Sequence, residues 1–355
     1  MLGDTNSVNF LMFGMSHKTA PIKIREQFYL SEIQQDLLLS ELKHISGIVG
    51  AFVVSTCNRI EVYCEVGTDT FDVKLIQEKL FIIKKIKIGG DWQQYFYAYR
   101  QDLAFSHLLK VTTSLDSLVL GEKQVLGQVK IAFEKSAFCD MLSGHLNLMQ
   151  QVVVRSGKLA HAETDIGYGG TSVSWAAVNF AEDHLNGLEG KRVMVLGCGQ
   201  MGELAAKKLS QRSLDKLYIM NRTKEKAKSL AQRYGGQAVS FLELIPILKK
   251  VDVCLCAIEA PHYVIEKESV QQIMRSRKAE LLMIDISMPR TIDPDVALFE
   301  QVKLYAIDDL GKTLEKSIER RNAAVKNVYE IIDRKMAEFY VKLEKMDDKG
   351  WRKKC

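Results

Sequence analysis

Arg192-Val193-Met194-Val195-Leu196 runs straight into Gly197-Cys198-Gly199-Gln200-Met201-Gly202, and the helix-favouring Glu203-Leu204-Ala205-Ala206 follows. An apolar strand that turns on GxGxxG into a helix is the fingerprint of a dinucleotide site. Gly197 permits the tight turn, Gly199 lets backbone N–H groups approach a pyrophosphate, and Gly202 lets the helix pack closely on the sheet. The helix N-terminus then offers the positive end of its dipole. The candidate cofactor residues are therefore Gly197, Cys198, Gly199, Gln200, Met201 and Gly202. About 20 residues on, an NAD site carries an acid for the ribose 2′-hydroxyl. Here the strand Leu217–Met220 ends in Asn221-Arg222-Thr223-Lys224, with no carboxylate. Arg222 and Thr223 suit a 2′-phosphate, so the site is read as one for NADP(H).

Outward from that loop, the chain from 164 to 308 alternates apolar strand-like runs with helical ones. The strands are expected at Arg192–Leu196, Leu217–Met220, Val251–Ile258, Leu281–Ile286 and Val302–Ile307, after a helix from Ser172 to about Leu185. That pattern predicts a parallel sheet covered on both faces, a Rossmann-type domain. Upstream, residues 1–163 mix strands with helices. Strands are expected at Phe10–Met15, Gly50–Val54 and Ile60–Val66, and a helix at Ser31–Ile45 with Ser31 as its N-cap. In Ile60–Val66 apolar residues alternate with Glu61, Tyr63 and Glu65, the period of a half-buried strand. From Asp102 to Glu163 the pattern is helical. Three glycines in Gly167-Tyr168-Gly169-Gly170 mark a linker and a candidate hinge. The tail, 309–355, is one long helix candidate. Its apolar stripe (Leu314, Ile318, Val325, Val328, Ile332, Met336, Phe339, Leu343) serves equally for packing on its own chain and for a dimer seam. The fold class is thus multidomain α/β: an N-terminal α/β domain, a Rossmann-type domain and a C-terminal long helix.

Composition narrows the class. The 355 residues are 47% hydrophobic and 26% charged, which excludes a disordered chain, and the net charge of +5 is too small to demand a nucleic-acid partner. Seven cysteines without a CxxC pair exclude a disulfide scaffold and a zinc ribbon. No His or Cys spacing suits a metal, so none is expected. No apolar run approaches the ~18 residues of a membrane span, and the first residues carry no Lys or Arg that would mark a targeting peptide. A reduced, cytoplasmic protein is expected.

Between two apolar strands lies Ser55-Thr56-Cys57-Asn58-Arg59, a polar knot that holds a cysteine. A free cysteine ordinarily hides in the core. With Arg59 two residues away its thiol pKa is expected to fall, and Asn58 and local amides offer donors to an oxyanion. A buried structural cysteine is the competing reading. Cys64, Cys139, Cys198, Cys254, Cys256 and Cys355 lack such a setting. His107 sits in an apolar helical run, where a structural role is the ordinary one. Ser117, Glu122, Gln124 and Gln128, interleaved with leucines and two glycines, suggest a pocket wall or a helical corner. The lysine pairs Lys84-Lys85, Lys207-Lys208, Lys249-Lys250 and Lys353-Lys354 read as solvated faces before phosphate contacts.

Together, Gly14-Met15-Ser16-His17-Lys18-Thr19-Ala20-Pro21, Ser55-Thr56-Cys57-Asn58-Arg59-Ile60-Glu61, Leu115-Asp116-Ser117-Leu118-Val119-Leu120-Gly121-Glu122, the glycine loop, Asn221-Arg222-Thr223 and Asp285-Ile286-Ser287-Met288-Pro289-Arg290 resemble the glutamyl-tRNA reductases, in matching order from about Asn9 to Arg334. The resemblance implies Cys57 as nucleophile on the ester joining glutamate to tRNA, a thioester intermediate, and reduction by NADPH to glutamate-1-semialdehyde. That is the first committed step of 5-aminolevulinate and tetrapyrrole synthesis. It implies His107 as a second catalytic residue. Thr56, Asn58, Arg59, Ser117, Glu122, Lys123, Gln124 and Gln128 are then substrate-binding residues, with Arg59 forking onto the substrate carboxylate. It implies a homodimer built by a C-terminal helical domain, closure between the domains, and a glutamate-1-semialdehyde aminomutase as the next partner. Two departures stand out. Lys123 replaces the family's proline, and only about 45 residues follow Leu310, a shortened dimerisation region. The rivals are an NADP-dependent dehydrogenase of a small acid and a non-enzymatic NADPH- or tRNA-binding regulator.

Overall fold

The computed structural model describes residues 8–87, 91–167, 172–310 and 318–348. Apart from Gly167, the linker glycines lie outside them, as do Leu314, Lys353, Lys354 and Cys355. The chain forms two compact units, residues 1–169 with 317–355, and residues 170–316. Of the segment 309–355, read from sequence as a third region, residues 317–355 group with the first unit and 309–316 with the second.

The first unit is built on four strands, β1 (Asn9–Ser16), β2 (Ile48–Ser55), β3 (Arg59–Val66) and β4 (Tyr97–Arg100), in the order β2-β3-β1-β4. All three pairings are antiparallel. Alternate residues of the sheet feed two cores. Leu11, Phe13, Ala51, Val53, Val62 and Cys64 pack with Leu38, Leu39 and Leu42 of the helix Glu32–Lys43 and with Ile76 and Leu80 of the helix Lys74–Lys84. Phe10, Met12, Phe52, Val54 and Tyr63 pack with the helices Gln101–Thr112, Gln124–Phe138 and Gly144–Glu163. Ser31 caps its helix through a capping box with Gln34. The alternation in β3 does not mark a solvent face, because helices cover both sides and all eight of its residues are buried. Glu61 and Glu65 consequently lie inside, where each needs a partner.

The helix Ile318–Asp348 completes the second of these cores. Its stripe residues Val328, Ile332, Phe339 and Leu343 are buried there, with the Phe339 ring 4.3 Å from Phe105 and 5.9 Å from Phe10, centroid to centroid. Among the described residues this stripe packs on its own chain.

The second unit carries β5 (Arg192–Leu196), β6 (Lys216–Met220), β7 (Gln237–Val239), β8 (Val253–Cys256), β9 (Leu281–Asp285) and β10 (Val302–Ala306), all parallel, in the order β10-β9-β8-β5-β6-β7. The expected sheet is present, with the short β7 added at one edge. The order reverses beside β5, which makes the carboxyl end of β5 a topological switch point where ligands of such sheets bind.

Candidate active site

The Cys57 segment is the three-residue turn between β2 and β3. Thr56 N donates to Arg59 O at 2.8 Å, and Thr56 Oγ1 accepts from the amides of Asn58 (3.1 Å) and Arg59 (3.2 Å). Thr56 thus spends its oxygen on stitching the turn. Cys57 at the tip is half-buried, and Asn58 and Arg59 are buried. The 16–25 segment braces this turn. His17 N donates to Asn58 O at 2.8 Å. Arg25, on the helix Ile22–Phe28, donates from Nε to Cys57 O at 3.2 Å and from Nη1 to Ala20 O at 2.8 Å.

Arg59 does not present its fork to a ligand. Nη1 donates to Glu61 Oε1 at 2.8 Å and to Asp116 Oδ2 at 3.1 Å. Nη2 donates to the carbonyl of Asp116 and, at 3.1 Å, to its Oδ2. The carboxylate that Arg59 grips is the protein's own, since a fully buried guanidinium needs compensating charge. Lys18 adds an ion pair to Asp116 from the surface side. Asp116 thereby ties the 115–122 loop to the cysteine turn. The expected fall in the Cys57 thiol pKa is also reversed. Burial and then the Glu122 carboxylate push it up to about 12, against the weaker pull of Arg25 and Arg59. Arg59 has little to give because Glu61 and Asp116 already neutralise it.

Glu61 is the hub beneath. Its carboxylate accepts from Arg59, from Tyr63 OH at 2.7 Å and from Tyr97 OH at 2.6 Å, and lies 2.8 Å from His107 Nε2. Burial alone would raise its pKa, but Arg59 and then His107 hold the carboxyl well below the usual range. His107 is buried against the rings of Tyr97 and Tyr99. Among the described residues its connection to the cysteine turn runs through Glu61 and Arg59.

In the 114–128 segment, Ser114 Oγ donates to Glu122 O at 2.6 Å. Glu122 is buried, Ser117 and Gln124 are half-buried, and Lys123 and Gln128 are exposed. Among the described residues, three atoms of these segments are buried without a hydrogen-bond partner: His17 Nδ1, Asn58 Oδ1 and Ser117 Oγ. Buried polar atoms are almost always paired, so the three are candidate contacts for a ligand. The structure therefore joins Thr56, Cys57, Asn58, Arg59, Ser117 and Glu122 in one framework. It sets His107 behind that framework and leaves Lys123 and Gln128 facing solvent.

Sequence reasoning gave no role to His17, Lys18, Arg25, Glu61 or Asp116. Arg25 had a signal: Ile22, Arg25 and Phe28 fall three apart, on one buried helix face. The lysine pairs are partly spoken for. Lys84 donates to Tyr29 O at 2.6 Å, and Lys208 sits 4.0 Å over the Trp175 ring.

In the second unit, Gly197 has φ +116°, and a Cβ there would fall 2.2 Å from Ala257 O; one on Gly202 would fall 2.0 Å from Gly197 O. Both positions exclude side chains. A Cβ on Gly199, the N-cap of the helix Gln200–Leu209, would meet open space, which leaves room for a phosphate over the helix start. Cys198 N donates to Asn221 Oδ1 at 3.3 Å, so Asn221 fastens the glycine loop to the end of β6. Arg222 and Thr223 are exposed there, and Gln200 and Met201 open the helix. Asp285, at the end of β9, is buried and accepts from the amides of Ser287 (3.0 Å), Thr291 (2.7 Å) and Ile292 (2.9 Å), which fixes the following loop. This is a nucleotide-binding arrangement. Among the described residues no group of three or more His, Cys, Asp or Glu is placed to hold a metal, and no helix is long and apolar enough to cross a membrane.

Comparison with known proteins agrees with this geometry. Residues 13–164 match the family "Glutamyl-tRNAGlu reductase, N-terminal domain", and residues 179–313 match "Shikimate / quinate 5-dehydrogenase". The chain is 36% identical to a glutamyl-tRNA reductase of Heliobacterium mobile over 329 residues, 92% of this chain and 74% of that one. It is 36% identical to that of Bacillus pumilus over 336 residues, 94% and 73% of the two chains. Among solved structures it is similar to the glutamyl-tRNA reductase from Methanopyrus kandleri, with 32% identity, a TM-score of 0.53, and coverage of 96% of this chain and 82% of that one.

Proposed function

This chain belongs to the glutamyl-tRNA reductase family, and from that premise we propose that it converts glutamyl-tRNA, NADPH and a proton into glutamate-1-semialdehyde, free tRNA and NADP+. Cys57 Sγ attacks the ester carbonyl, the ester C–O bond breaks, and the thiol proton leaves with the tRNA hydroxyl. A thioester on Cys57 remains. One difficult reduction is thereby divided into two easier steps. Bound NADPH would supply the hydride that releases the aldehyde from sulfur, and the Cys57 thiolate that leaves takes a proton from solvent to restore the thiol.

The chain's own residues do the rest. Thr56 and Arg25 hold the turn that presents the thiol. Asn58, Ser117 and Glu122 face the glutamyl group, with Gln124, Lys123 and Gln128 toward its entrance. Arg59 fixes the site by gripping Asp116, and His107 positions Arg59 through their shared partner Glu61. Gly197 to Gly202, with Asn221, Arg222 and Thr223, hold the dinucleotide. The absence of a carboxylate at the end of β6 favours NADPH over NADH. The same reading expects a homodimer, which sedimentation tests, and an aminomutase to receive the labile aldehyde.

One observation carries the reading: a half-buried thiol shares its turn with a buried, unpartnered Asn58 Oδ1, and the Asp116–Arg59 link brings the unpartnered Ser117 Oγ to the same framework. The test is to mix the protein with glutamyl-tRNA and NADPH and assay glutamate-1-semialdehyde. Semialdehyde from the wild type and none from Cys57→Ser, with NADPH affinity intact, supports it. Normal semialdehyde production by Cys57→Ser overturns it.

A further inference from the structure

The unpartnered atoms in the first unit's site form a set with one chemical character. Asn58 Oδ1 only accepts hydrogen bonds, and Ser117 Oγ accepts as well as donates. His17 Nδ1 is the third. Burial, and then the Arg59 guanidinium, push the His17 pKa down to about 4, so the ring is neutral near pH 7 and keeps one nitrogen lone pair. The three residues belong to linked segments. His17 N donates to Asn58 O at 2.8 Å, and its neighbour Lys18 pairs with Asp116, next to Ser117. A fourth unpartnered atom, His161 Nδ1, adjoins the 114–123 segment near the Lys123 side chain and Gly167, with its ring 3.4 Å from Ser114 Oγ and no hydrogen bond to His17 or Asn58.

With the His17 proton on Nε2, all three atoms can accept, and a ligand group rich in N–H satisfies them together. Within a glutamyl ester the side-chain carboxylate and the ester oxygens accept, and only the α-ammonium carries three donors. We infer that His17 is a substrate-binding residue that accepts a hydrogen bond at Nδ1 from the α-ammonium of the glutamyl group, alongside Asn58 Oδ1 and Ser117 Oγ. The neutrality of the ring is part of the fit, because an imidazolium would repel the ammonium. The Glu122 carboxylate, close enough to raise the Cys57 thiol, adds the negative potential that an ammonium requires. The assignment rests on the proposed function and names the part of the substrate that this corner of the site recognises.

The test compares tRNA charged with glutamate against the same tRNA carrying the glutaryl ester, which lacks only the amino group. The wild type is expected to prefer the glutamyl ester. In His17→Ala the ratio of kcat/KM values should fall roughly tenfold or more, the worth of one hydrogen bond to a charged group, and mainly through KM. His17→Asn sets an amide oxygen near the place of Nδ1 and should keep most of the preference. His17→Gln sets it near Nε2 and should not. NADPH affinity and the rate of Cys57 alkylation report that each variant is folded, and the Asn–Gln contrast decides the matter if His17→Ala is not. An undiminished preference in His17→Ala, or equal behaviour of the Asn and Gln variants, overturns the assignment while leaving the reductase reading intact. A wild type that forms no semialdehyde from glutamyl-tRNA overturns both.

Discussion

Arg25 donates through Nε to the carbonyl oxygen of Cys57 at 3.2 Å, from a helix 32 residues earlier in the chain. The same guanidinium reaches Ala20 O at 2.8 Å. One buried cation therefore sets the backbone of Cys57 and the segment that braces it. It is also the strongest of the cationic influences that draw the Cys57 thiol downward.

Arg25→Ala should accordingly do two things. It removes the donor from two carbonyl oxygens, at about 1–3 kcal/mol for each acceptor left unsatisfied, so urea unfolding should shift to a lower midpoint. It also removes a charge that favours the thiolate, so alkylation of Cys57 by iodoacetamide should slow at any fixed pH. A variant with wild-type alkylation kinetics would show that Arg25 does not act on the sulfur.

Glu122 works in the opposite sense. Its carboxylate is, after burial, the second cause of the raised Cys57 thiol. Glu122→Gln keeps the shape and removes the charge, so the thiol pKa should fall from about 12 and the thiolate fraction at pH 9 should rise. Alkylation at that pH should then be several-fold faster than in the wild type. An unchanged rate would mean that the carboxylate lies too far from the sulfur to matter.

How much of this was legible in the sequence depended on distance along the chain. The second unit is legible because its signals are local: apolar runs such as Val193–Leu196, each beside its own helix, and a glycine loop whose residues are contiguous. The strand Gln237–Val239 is not legible, because three residues carry no period. The first unit was harder. The alternation in Ile60–Val66 suggested a wet face, and nothing nearby announced that helices as distant as Ile318–Asp348 would complete the core on that side. Once Glu61 is inside, its partners Arg59, Tyr63, Tyr97 and His107 follow from the need to satisfy it. The Ser-Thr-Cys-Asn-Arg stretch was recognisable as chemistry. That Arg59 would serve Asp116 and Glu61 could not be seen, because Asp116 lies 57 residues away.

Glu61 should dominate the acid sensitivity of the first unit. Its carboxyl is held below its ordinary value by Arg59 and His107. A carboxyl depressed in the folded state contributes stability above its unfolded pKa, near about 4.3. That stability is lost as pH falls from there toward the folded value. Glu61→Gln leaves Arg59 buried with one fewer counter-charge, so a loss of about 3–5 kcal/mol at pH 7 is expected. Its stability should also depend less steeply on pH below about 5. Urea titrations at pH 7 and pH 4 check both. Parallel pH dependence in the variant and the wild type would remove Glu61 from this role.

The cofactor preference can be tested at one exposed side chain. β6 ends at Met220, and the next residues are Asn221, committed through Oδ1 to the amide of Cys198, and then Arg222 and Thr223. With no acid in this stretch, a ribose 2′-hydroxyl would lack its usual acceptor, whereas on the proposed reading a 2′-phosphate would meet the exposed Arg222. A charge-assisted contact of this kind contributes about 1.5–3 kcal/mol, so Arg222→Ala should weaken NADPH binding roughly tenfold or more. NADH, which has no 2′-phosphate, should bind the variant and the wild type alike. Fluorescence titration with the two nucleotides measures the ratio directly. If Arg222→Ala discriminates between them as the wild type does, the phosphate is held elsewhere, and the end of β6 does not set the preference.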